Sequence, residues 1–152
     1  MPPDILSHYS VLFREFLAGV DTLEVFEDGR PIFTSSNQRL IPLMAYLASP
    51  AFRQQPVTIF DKIGGNAAAL LAVRANCCEL FSPLGSEIAI LTLHKYGVKY
   101  HFTDIVPYIK QPDGKSMCPM EKLSLDKDPE QFYQVMRDRL SAAISHADIS
   151  AP

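Results

Sequence analysis

A chain of 152 residues, 47% hydrophobic and 20% charged, has the size and balance of one soluble globular domain with its own core. Its formal charge of −3 offers no global attraction to nucleic acid or anionic lipid, so neither is an expected partner. Cys77, Cys78 and Cys118 form no C-x-x-C pair, no signal-like segment opens the chain, and no apolar run reaches the ~18 residues of a membrane span, so a reducing, cytoplasmic setting is expected.

The first segment has Ile5, Leu6, Tyr9, Leu12, Phe13 and Phe16 at helical spacing, which predicts a helix over 4–18 stopped by Gly19. "LEVFEDGRPIF" then alternates on both sides of Asp28-Gly29 and predicts a β-hairpin over 23–34. Helical spacing returns in "QRLIPLMAYLASPAF", with Pro42 in its first turns, and "VTIFD" at 57–61 reads as a short buried strand. Helix "GGNAAALLAVRAN", strand "CCELFSP", helix "GSEIAILTLHKYG" and strand "VKYHFTDIV" follow without long loops. A loop over 107–117, a short helix from "CPMEKL", a helix over 129–145 and a frayed tail over 146–152 complete the chain. Strands alternating with helices predict a three-layer α/β/α sandwich. Its mixed sheet should have about five strands, the hairpin antiparallel and the next three parallel, in a single domain over 1–152.

Three short motifs carry a resemblance: the hairpin "LEVFEDGRPIF", then "DKIGGNAAALL", then "CPMEKL". In this order they resemble an uncharacterised domain family with a cytidine-deaminase-like fold, over roughly residues 20–125. True deaminases hold zinc with a His-x-Glu and a Pro-Cys-x-x-Cys at two helix starts. The equivalent starts here, "SSNQRL" and "DKIGGNA", contain no His, Cys or Glu. A catalytic zinc needs three protein ligands, so no zinc, no other cofactor and no zinc-dependent deaminase activity are expected.

The charged pair Asp61-Lys62 and the glycines Gly64-Gly65 stand where a buried strand turns into a helix. One reading is structural: Asp61 caps the helix. The other takes the glycines, each about 1 kcal/mol less favourable than alanine in a helix, as signs of close backbone approach to a neighbour or an anion. A helix N-terminus suits phosphate, and Lys62 would add a point charge. Ser35, Ser36, Asn37 and Arg39 should lie beside this segment at the carboxyl ends of the strands, as caps first and as ligand contacts second.

Cys118, Pro119 and Glu121 read as a helix start in which Glu121 supports its own cap. A thiol there could act as a nucleophile with His94 or His101 as base, while Cys77 and Cys78 read as inert core. Gly85-Ser86 reads as a turn and cap, and His8 and His146 carry no visible chemistry. Three functions stay open on these residues. The first is a non-metal domain binding a nucleotide or ADP-ribose-like phosphate ligand through Asp61, Lys62, Gly64, Gly65, Asn37 and Arg39. The second is an enzyme using Cys118 or Asp61 in covalent chemistry. The third is a structural module forming a homo-oligomer through a sheet or helix face.

Overall fold

A tight turn sets the first pairing. In the computed structural model, β1 (Leu23–Glu27) and β2 (Arg30–Ser35) run antiparallel. Asp28 and Gly29 between them both take positive φ, 51° and 80°, as a two-residue hairpin loop demands. The structure describes residues 3–52 and 54–150, with side chains for 8–52 and 54–142. Helix α1 (Pro3–Ala18) precedes the hairpin, and Tyr9 ties the two together by accepting a hydrogen bond from the Gly29 amide at 3.0 Å.

The rest of the chain alternates: α2 (Ile41–Ala48), β3 (Val57–Asp61), α3 (Asn66–Arg74), β4 (Cys77–Ser86), α4 (Glu87–Lys95), β5 (Lys99–Val106), α5 (Pro119–Ser124) and α6 (Pro129–Ser150). The sheet order is β2-β1-β3-β4-β5. β1 is antiparallel to both its neighbours, while β3, β4 and β5 are parallel. The mixed five-stranded α/β sheet expected from the sequence is therefore present.

Strand alternation divides the core in two. Val25, Ile59 and Leu80 join the large core with Leu43, Leu70, Leu71, Leu93 and Phe132 from the helices. Phe26, Phe60 and Phe81, one step along each strand, pack on Tyr9 and Phe16 of α1. Among the described residues α1 is the helix whose side chains build this second core, so the α1 face is covered by one helix where the other is covered by several.

Several expected boundaries move. α2 begins at Ile41 and has no side-chain cap, because Arg39 takes a left-handed φ of 60° and breaks the helical path before it. Ser35 and Asn37 are therefore not helix caps: Ser35 ends β2, and its Oγ accepts from the Asn37 amide at 3.2 Å. Gly85 is not in a turn, since β4 runs straight through it to Ser86, which caps α4 by accepting from the Ala89 amide at 3.1 Å. α6 continues beyond 145 to Ser150, and the side chain of His146 lies outside the described residues. Cys78 is not core: a register shift pairs Val57 with Cys77 but Thr58 with Glu79, and the skipped Cys78 is turned outward and exposed. Cys77 is buried, and burial pushes its thiol up.

Candidate functional site

Asp61 ends β3 at the carboxyl edge of the parallel strands, where open α/β sheets bind their ligands. It is 8% exposed. Its Oδ1 accepts one hydrogen bond, from the Ile63 amide at 3.1 Å, which is an Asx-type turn and not the helix cap expected of it. Burial raises its pKa to about 7, partly offset by the Ile63 hydrogen bond. The adjacent Lys62 does not neutralise it. The Lys62 amine donates to the Gly19 carbonyl at 3.2 Å and sits 4.6 Å from the centre of the Phe16 ring, serving the end of α1.

The glycines have protein neighbours. Gly64 extends the sheet: its amide donates to the Leu84 carbonyl at 2.6 Å, its carbonyl accepts from the Ser86 amide at 3.2 Å, and it bridges Gly85. A Cβ at Gly64 would stand 2.9 Å from the Phe102 ring, and one at Gly85 would fall inside that ring. Gly65 precedes α3, and a Cβ there would stand 2.8 Å from Cγ1 of Ile109 and 3.2 Å from Oε1 of Glu121. The close approach inferred from the sequence is real at Gly64 and Gly65, and the structure adds a third at Gly85, where a turn was expected. The groups that approach are Phe102, Ile109 and Glu121.

Glu121 is the residue that the sequence placed wrongly. Instead of supporting its own helix start, it reaches the start of α3. Its Oε1 accepts from the Asn66 amide at 2.6 Å and its Oε2 from the Ile109 amide at 2.7 Å. A carboxylate thus already occupies the helix N-terminus where a phosphate was expected. Asn66 continues the network, with its amide nitrogen donating to Ser124 Oγ at 3.0 Å and its Oδ1 accepting from Thr92. Glu121, Asn66 and Ser124 are all buried. The signal in the sequence was Asn66, a polar residue at the start of the otherwise apolar helix "NAAALLA".

These contacts change the meaning of Gly65→Ala. As a mere cap residue Gly65 would accept alanine with a slight gain. With Ile109 and Glu121 in front of it, the added methyl should cost about 1–3 kcal/mol by overpacking. Chemical denaturation should show the lower midpoint, and an unchanged or raised midpoint would refute this packing account.

The remaining candidates are spread along the same edge or away from it. Thr22 ties two of them to one place: its carbonyl accepts from the Lys62 amide at 3.2 Å and its hydroxyl donates to the Asn37 carbonyl. Asn37 and Arg39 are exposed there. Cys118 precedes α5, and its amide donates to the Ile109 carbonyl at 2.8 Å, beside Glu121. Neither histidine is joined to it by a hydrogen bond among the described residues. His94 ends α4 with its ring 5.9 Å from that of Tyr100, and His101 is bonded to Glu79. No three His, Cys, Asp or Glu side chains among the described residues stand together as a metal site.

The sequence model of DUF1893, a domain of unknown function described under the name TM1506, matches residues 13–140. The chain belongs to the DUF1893 family. A crystal structure of a DUF1893 family protein (TM1506) from Thermotoga maritima, at 2.70 Å resolution, is similar in fold: the TM-score is 0.75 at 24% sequence identity, over 91% of this chain and 92% of that one. No curated protein matches the chain. For this DUF1893 member the comparisons thus supply a fold and a family without an activity. No described helix is long and apolar enough to cross a membrane.

Proposed function

We propose that this domain binds a small polar ligand at the carboxyl edge of its parallel strands, with Asp61 as the central contact and Asn37, Arg39 and Lys62 on the rim. The ligand class is a nucleotide or an ADP-ribose-like compound, recognised first through a sugar hydroxyl. One observation carries the reading: among the described residues no cation stands beside the buried carboxyl group of Asp61, which lies at the strand edge where open α/β sheets bind their ligands. A ligand hydroxyl would supply the partner that the protein withholds. In this reading Gly64 and Gly65 shape the floor, and the ligand phosphate meets Arg39 rather than the Glu121-filled start of α3. We also infer that the domain belongs with the cytidine-deaminase-like folds, a reading supported by the edge hairpin followed by three parallel strands.

Calorimetry with ADP-ribose and AMP tests the reading. The parent should bind at least one of them saturably. Asp61→Asn should weaken that binding by about tenfold or more, the effect of losing one charge-assisted contact, with circular dichroism unchanged. Arg39→Ala should weaken it further in low salt than in high salt. No heat with either compound, or equal affinity in the Asp61→Asn protein, would leave Asp61 as a structural residue.

A further inference from the structure

We propose a second binding site, for a flat aromatic carboxylate, in the groove between α1 and β5, with Arg14 and His101 as its charged contacts and Glu79 as a positioning residue. The groove is shallow and open to solvent, spans about 460 Å³, and is lined by Ser10, Phe13 and Arg14 of α1, by Phe81 of β4, and by His101, Phe102 and Thr103 of β5. That volume is within the range of small-molecule sites. It lies on the α1 face of the sheet, whereas Asp61, two residues along β3 from Ile59, falls on the opposite face by strand alternation.

Glu79 is the buried charge beneath this groove. It stands inside "CCELF", in a strand buried between its neighbours, and is 2% exposed. Its Oε2 meets Nε2 of His101 at 2.5 Å, and no group among the described residues donates to its buried Oε1. Burying a carboxyl group with one oxygen unbonded costs stability that an apolar residue of similar size would not. Holding a half-satisfied carboxylate here is therefore a poor way to gain stability. It is a good way to fix an imidazole.

An ionised Glu79 can only accept, so this bond assigns a proton to Nε2 of His101. The ring is also pinned flat on Phe81, at 4.3 Å between centres and 24° between planes. Yet the His101 side chain remains 42% exposed. One face of the imidazole is held and the rest is presented to the groove. This is the arrangement by which a buried carboxylate orients a working histidine.

The lining decides the ligand class. Arg14 brings a guanidinium, His101 an imidazole N–H, Ser10 and Thr103 hydroxyls, and among the described residues no acidic side chain lines the groove. Glu79 is covered and faces its histidine. The groove thus favours an anion despite the net charge of −3. Phe13 and Phe81, 5.5 Å apart, supply an apolar aromatic wall that a bare inorganic anion would not use. A planar ring bearing one carboxylate satisfies both the charge and the wall.

Titration of the full chain with benzoate, followed through the histidine ring ¹H–¹⁵N resonances, tests the site. Saturable shifts of the His101 ring are expected. Arg14→Gln, followed through the same ring, and His101→Gln, followed by calorimetry, should each weaken benzoate binding by about tenfold, the loss of one charge-assisted contact. Glu79→Gln should change the His101 ¹⁵N tautomer pattern and weaken binding while Arg14 is intact, which a merely structural glutamate would not do. If Glu79→Gln fails to fold, the Arg14→Gln result decides alone. Absence of a saturable His101 shift, benzoate affinity unchanged in both Arg14→Gln and His101→Gln, or equal binding of inorganic phosphate would overturn the proposal.

Discussion

Glu121→Ala is expected to destabilise the domain by about 3–5 kcal/mol, because it removes both acceptors from two buried backbone amides at once. Those amides belong to Asn66, which opens α3, and Ile109, which follows β5, and the glutamate is 2% exposed. One carboxylate thus joins a helix start, the loop after the edge strand and α5. Alanine leaves the two N–H groups without partners in a place where water has little access. It also removes a negative charge from the positive end of α3. Urea unfolding should show a lower midpoint with an unchanged slope. Glu121→Gln should fall between parent and alanine variant, since its amide retains one acceptor but points a second donor at an existing one. A loss under about 1 kcal/mol for alanine would mean that the joint is held by apolar packing instead.

The fold was legible where the cause is local. Asp28-Gly29 can satisfy two successive positive φ values, so the hairpin could be read from two residues. Apolar periodicity located each later strand and helix, because burial on one face is written into spacing. Boundaries were misread where a distant group decides them. Gly85 looks like a turn residue until Phe102, on the neighbouring strand, is seen to need its empty side. The left-handed Arg39 delayed α2 in a stretch where Ser35, Ser36 and Asn37 offered ordinary caps.

The same distinction applies to the candidate site. Gly64 and Gly65 correctly signalled a close approach, since glycine at a helix start has a cost that some contact must offset. What approaches them could not be read. Glu121 lies 55 residues from Asn66 along the chain, and its neighbours Cys118 and Pro119 suggested a local capping role. Glu79 shows the opposite error. Its position in "CCELF" was a visible anomaly, a charge in an apolar run, and only the pairing of β4 with β5 reveals His101 as its partner.

Asp61→Asn is expected to stabilise the free protein at neutral to mildly alkaline pH. The folded pKa of about 7 is above the ordinary carboxyl value of 3.8, chiefly because burial penalises the charge. The folded state therefore holds the proton more tightly than the unfolded chain does. Stability contributed by this group is full below about pH 4, falls as pH rises towards 7, and levels off above it. The gap between 3.8 and about 7 corresponds to roughly 4 kcal/mol between these plateaus. Asparagine keeps an oxygen for the Ile63 amide but never ionises. The variant should match the parent near pH 4 and exceed it at pH 8, by on the order of 10 °C in thermal midpoint for a chain of this size. Glu24, pushed to about 7 by burial first and then by its hydrogen bond with Asp21, titrates in the same window. It is present in both proteins, so the difference between their curves isolates Asp61. Midpoints that differ equally at pH 4 and pH 8 would show that folding leaves the Asp61 carboxyl at its ordinary value, and would remove the physical basis for a ligand contact there. A variant that is more stable at pH 8 but no longer binds would mean that Asp61 is retained against the interest of the fold, as residues that serve a ligand are.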